Sequence, residues 1–222
     1  MWSVYIDRHS PEHPFRFSDL LKLQDEVLES LRPNRGSAIL FAELAPTLTL
    51  GARQIHLGDE RTAYLRTLPI EVVAGERGGN ETWHGPGQWV GFVLTPLLEF
   101  AGHERGVRVA VMKMLALLEP VARIYLPEAA IEDGARLGIW SPRGKVASIG
   151  IKIRDGYTSS GFAINCVPNP AAFLGIDPCG IASARPDFLF SDSVSPEKWE
   201  QEFLRIPNLI QESFEKNANA RI

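Results

Sequence analysis

The chain has 222 residues, 45% hydrophobic and 23% charged, which is enough apolar material for one substantial core in a single domain spanning 1–222. Its formal charge of -4 lacks the basic excess of a nucleic-acid binder. Its two cysteines, Cys166 and Cys179, are too few for a disulfide framework and have no Cys/His spacing to hold a metal.

The first residues, MWSVYIDRHSPEHPF, place charges and prolines where a secretory signal needs an unbroken apolar stretch. Leu20, Leu23, Val27, Leu28 and Leu31 recur on one helical face behind Ser18, which predicts a helix from a Ser18 cap to about Leu31. Strands are expected at Ala38 to Ala42, Leu48 to Leu50, Glu71 to Ala74 and Trp89 to Leu94. A helix is expected over Val107 to Leu118. The apolar run to Leu126 is broken by Lys113, Glu119, Pro120 and Arg123, so it is no membrane span, and a cytoplasmic protein is expected. Further strands fall at Leu137 to Trp140, Lys145 to Ile153, where Ala147, Ile149, Ile151 and Ile153 alternate, and Gly161 to Val167. Ser195-Pro196 reads as a cap and first residue of a last helix, and Asn217 to Ile222 as a polar tail. This order implies an α+β fold, a mixed or antiparallel sheet with helices on one face.

Three stretches carry chemistry. RGGNETWHGPGQ, Arg77 to Gln88, packs four glycines around His84, so that backbone can lie against a ligand, although such a stretch also serves as a plain turn. A histidine such as His84 is by itself more often a hydrogen-bonded structural residue than a catalyst, and its place before Gly85-Pro86-Gly87 is what favours a functional role. Arg77 is a surface charge, a loop anchor or a phosphate partner. RGKVASIGIKIRDG begins a strand with Lys145, ordinarily a solvated edge charge, as Lys152 is expected to be. In FLGIDPCGI, Cys179 sits between Pro178 and Gly180, in a turn open to substrate with following N–H groups available to an oxyanion, whereas Cys166 in FAINCV suits the core.

Taken in order, RGG, HGPGQ, GKVASIG, GFAIN and PCG resemble the lipoyl(octanoyl)transferase family, which shares the lipoate/biotin protein ligase fold; the resemblance runs from about Glu43 to Gly180. It implies an acyl-enzyme on Cys179 with Lys145 lowering its pKa. It also implies an acyl site made by Arg77, Gly78, Gly79, Asn80, Glu81, Thr82, Trp83 and His84, then Ser148, Ile149 and Gly150, then Gly161, Phe162 and Ala163. The implied donor is octanoyl-acyl carrier protein. The implied acceptors are lipoyl domains of 2-oxoacid dehydrogenases or the glycine cleavage H protein, with no metal and no cofactor. The sequence departs from the family where Leu44 and Ser160 replace usual histidines and where IASARPDFLF lacks the usual T-S-L. Acidic partners would meet a basic patch drawn from Arg53, Arg77, Arg143, Lys152 and Arg154. The alternatives are an ATP-dependent ligase of the same fold, a non-catalytic acyl-binding protein, and a hydrolase using the same acyl-enzyme.

Overall fold

A computed structural model describes residues 2–51, 63–65, 67–74, 77–78, 81–169, 185–190 and 195–218. Strand β1 (Trp2–Arg8) runs parallel to β2 (Ser37–Glu43). Parallel neighbours need a crossover, and here it is helix α1 (Phe17–Leu31). Its cap is not Ser18: the Asp19 carboxylate reaches back to accept the Arg16 N–H at 3.2 Å, so the helix starts one residue before the expected serine.

The chain continues through β3 (Thr47–Leu50), β4 (Glu71–Ala74), β5 (Thr82–His84), β6 (Gln88–Leu94), α2 (Leu97–Ala101), α3 (Val107–Tyr125), β7 (Ala130–Glu132), β8 (Gly138–Trp140), β9 (Lys145–Arg154), β10 (Tyr157–Asn165) and α4 (Pro196–Ala218). The main sheet has the order β1-β2-β6-β10-β9-β8-β7, antiparallel beyond its first pair. A second sheet sets β3 between β4 and β5.

Helices cover both faces of the main sheet, not one as expected. Along β2, Ile39 and Phe41 enter the core beneath α3 and α4, while Ala38, Leu40 and Ala42 enter the core beneath α1. A strand apolar on both sides needs both sides covered. Helix α3 runs past the expected end at Leu118, because Val121 and Ala122 beyond Pro120 are buried and their packing offsets the hydrogen bond the proline cannot make. Ser195 does cap α4, its Oγ accepting the Lys198 N–H at 3.4 Å. Strand β10 begins at Tyr157, earlier than the expected Gly161, because Asp155 and Gly156 both take positive φ and close a two-residue hairpin from β9. Among the described residues no helix is long and apolar enough to cross a membrane.

Candidate active site

Lys145 opens β9 and is 2% exposed, not the solvated edge charge that such a position usually holds. Its Nζ donates to the Leu137 carbonyl at 2.7 Å and lies 5.3 Å from the Trp140 ring centre. The route is open because Gly138, at φ +146, has no side chain; a Cβ there would stand 2.6 Å from Lys145 Cε. The Lys145 backbone is fixed separately. Its N–H donates to Arg185 O at 2.8 Å, and its carbonyl accepts the Asp187 N–H at 2.9 Å. Asp187 also accepts from Ser141 Oγ and pairs with Arg143 at 3.1 Å, closing the turn before Lys145 onto residues 185–187.

Farther along β9, beside Phe17 of α1, lies an apolar cavity of about 570 Å³ counted out to its open mouth, solvent space included. Ser148, Ile149 and Gly150 of β9 and Ser160, Gly161, Phe162 and Ala163 of β10 line it, although the Ile149 and Phe162 side chains pack into the core beneath α3 and α4. Val90 and Phe92 of β6 and Phe17 of α1 line it too, and Arg77, Gly78, Glu81, Thr82 and His84 complete it. The Arg77–Gly78 backbone can close over β9 because position 150 is glycine; a Cβ there would meet Gly78 O at 3.1 Å.

His84 is 5% exposed and stacks on Phe17, with ring centres 5.7 Å apart. Its Nε2 lies 3.3 Å from Thr49 Oγ1 and its Nδ1 2.7 Å from Gln88 Oε1. Burial, reinforced by the positive charge of Arg77 and opposed by the Gln88 bond, lowers its pKa to about 4. Arg77 is a loop anchor: Nη2 donates to Thr49 Oγ1 at 2.8 Å and to Thr49 O at 3.0 Å, and Nη1 to Gly78 O at 3.2 Å.

The cavity thus gathers Arg77, Gly78, Glu81, Thr82, His84, Ser148, Ile149, Gly150, Gly161, Phe162 and Ala163 from the sequence-derived set. Trp83 is elsewhere. Side chains alternate along a strand, so with Thr82 and His84 facing the cavity Trp83 points the other way and packs with Leu48 and Leu65. Gly79, Asn80, Cys179 and Arg53 lie outside the described residues. On either side of the segment that carries Cys179, Asn169 donates to Pro86 O at 3.1 Å and Arg185 accepts from Lys145. Cys166 is fully buried, and burial pushes its thiol pKa up, which removes it as a nucleophile. In the expected basic patch, Arg143 pairs with Asp187 and Arg154 with Asp25. Phe17, Val90, Phe92, Asn165 and Asp187 were not singled out by motif reading. Tertiary packing brings them to the site, and only Asn165, within GFAIN, lay in a motif.

A family model for the lipoyl protein ligase A/B catalytic domain matches residues 17–185, most of the chain, and the chain belongs to that family. Octanoyltransferases are among its sequence relatives. The chain is 34% identical over 189 residues to the octanoyltransferase of Magnetococcus marinus, covering 84% of this chain and 81% of that protein. It is 31% identical over 176 residues to the octanoyltransferase of a Geobacter species, covering 76% and 78%. Among solved structures, a putative lipoate protein ligase from T. acidophilum with bound lipoic acid superposes with a TM-score of 0.66 at 14% identity over 97% of this chain and 95% of that one. The lipoate complex of P. falciparum LipL1 superposes at 0.67 and 12%, over 100% of this chain and 65% of that one. These two likenesses establish the fold.

Proposed function

We propose that this chain moves an octanoyl group from acyl carrier protein to the lysine of a lipoyl domain through a thioester on Cys179. The observation that carries the reading is the apolar cavity beside β9, the strand whose first residue is the buried Lys145. An unpaired thiol titrates near 8.5 and is mostly protonated at neutral pH, about one part in thirty being thiolate, so it needs a cationic or basic neighbour. Lys145 is that neighbour in this proposal.

The Cys179 sulfur attacks the octanoyl carbonyl carbon, its proton passes by way of Lys145 to the departing carrier thiolate, and the carrier C–S bond breaks. The N–H groups of Gly87 and Gln88 already donate to Glu43 Oε1 and Gly85 O, so in this proposal the oxyanion is held by the N–H groups that follow Cys179 or by that of Gly85. The acceptor lysine nitrogen then attacks the same carbon, the bond to Cys179 breaks, and the amine proton returns to the cysteine sulfur through Lys145. Thioester exchange is near balance and amide formation is downhill, so no ATP is consumed.

Intact mass spectrometry after mixing with octanoyl carrier protein should show one octanoyl group on the protein, which a lipoyl domain then removes. Cys179→Ser should lose both signals, and full turnover by that variant would overturn the assignment. Transfer from free octanoate that needs ATP would mark a ligase, octanoate released to water a hydrolase, and carrier binding without an adduct an acyl-binding protein. Lys145→Ala should slow acylation about a hundredfold while the protein stays folded; an unchanged rate would return Lys145 to structure.

A further inference from the structure

We propose that Arg77, Thr49, His84, Gln88 and Asn165 form a hydrogen-bond chain of fixed direction ending on the carbonyl of Lys145, in which His84 is a neutral positioning residue and not a proton carrier. The functional part rests on the catalytic role proposed for Lys145. The direction of the chain does not.

Both ends are fixed by chemistry. At one end Arg77 can only donate, and its Nη2 and Nε approach Thr49 Oγ1 at 2.8 and 3.3 Å. The hydroxyl oxygen therefore accepts there, and its one hydrogen is left for His84 Nε2 at 3.3 Å. At the other end the carbonyls of Lys145 and Asp187 can only accept, and both face Asn165 Nδ2, at 3.1 and 3.3 Å. Asn165 Oδ1 consequently faces Gln88 Nε2 at 2.8 Å, directly across the β6–β10 pair. The Trp83 carbonyl, 3.3 Å from the same Nε2, orients that amide independently. Gln88 Oε1 is then the acceptor 2.7 Å from His84 Nδ1, which must carry hydrogen. Read from either end, the ring is protonated at Nδ1 and bare at Nε2. A second proton at Nε2 would turn a donor toward an oxygen already facing Arg77 and strand the buried Thr49 hydrogen.

The chain joins two parts of the proposed site. Its first member anchors the loop that closes the acyl cavity over Gly150, and its last holds the carbonyl of the residue whose amine the reaction uses. Aligned hydrogen bonds in a buried setting strengthen one another, so a break at one end is felt at the other. Thr49, His84, Gln88 and Asn165 therefore set the position of Lys145 relative to the acyl chain.

The test begins with ring-¹⁵N-histidine-labelled free protein, with the His84 signals assigned by their loss in His84→Asn. Long-range proton–nitrogen correlation should show a protonated-type Nδ1 and a bare-type Nε2, unchanged between about pH 5.5 and 8. Protonation at Nε2, or titration in that range, would overturn the chain. For function, Thr49→Val keeps the volume and removes the hydroxyl. It should leave the circular dichroism intact, alter the His84 nitrogen shifts, and lower kcat about tenfold with KM for the acyl donor within about twofold. His84→Asn, which retains a donor toward Gln88, should keep at least about a tenth of wild-type kcat and exceed His84→Ala. Equal and complete loss in both histidine variants would make His84 a proton carrier; an unchanged kcat in folded Thr49→Val would separate the chain from catalysis. The nitrogen spectra need no acyl transfer, so they decide the chain even if Cys179 proves inert.

Discussion

Lys145 reaches the Leu137 carbonyl only because Gly138 leaves the way open. With a methyl group at 138 the side chain must move, since the added carbon would lie 2.6 Å from Cε and 2.5 Å from Ala147 O, and alanine is strained at φ +146. Gly138→Ala should therefore cost about 1–3 kcal/mol of stability and slow acyl-enzyme formation by roughly tenfold or more. Denaturant unfolding and the rate of octanoyl mass gain measure the two effects. A stable variant with wild-type acylation would show that the lysine does not depend on this path. The residue was not legible as functional, because glycine in a short strand reads first as a weak β-former and its partner is a side chain seven positions away. His84 shows the opposite case. HGPG marked it, but only the partners at both ring nitrogens separate a positioning histidine from a base.

At the scale of elements, β9 and β10 carry the site and residues 185–187 hold its open end. The parallel contact of Lys145 with Pro186 has two backbone bonds, and the Asp187 side chain ties the same residues to Ser141 and Arg143. Asp187→Ala should speed amide hydrogen exchange at Lys145 and at position 187 about tenfold or more while leaving β2 and β6 protected. Equal exchange at all these amides would mean that the backbone bonds suffice. The alternation of Ala147, Ile149 and Ile151 made β9 readable, and the apolar run SAILFA made β2 readable. β1 was not, because this edge strand buries only Trp2 and exposes Ile6, so no period survives. β5 has three residues and was masked by the surrounding glycines. The alternation rule, applied to Thr82–His84, would have turned Trp83 away from the cavity. Phe17, Val90 and Phe92 needed the sheet order, which local pattern does not contain.

For the whole molecule, His84 links the site to global stability through pH. Its pKa is about 4 in the folded chain against 6.5 when exposed, chiefly because burial penalises the charged ring and secondarily because Arg77 is near. Above about pH 6.5 the ring is neutral in both states and contributes nothing. As pH falls through that value the unfolded chain binds a proton that the folded chain refuses, so stability declines, levelling only below about pH 4 at a loss of roughly 3 kcal/mol. Between about pH 7.5 and about pH 5 the loss from this group is about 2 kcal/mol. The carboxylates of Glu132 and Glu197, held low by Arg136 and by local hydrogen bonds respectively, are solvent-facing and add little to this interval. His84→Asn removes the titrating group, so its denaturant-measured stability should start lower at about pH 7.5, yet fall about 2 kcal/mol less than wild type by about pH 5. Parallel pH curves for the two proteins would mean that the folded ring accepts its proton as readily as the unfolded one, which a bond from Thr49 into Nε2 does not allow.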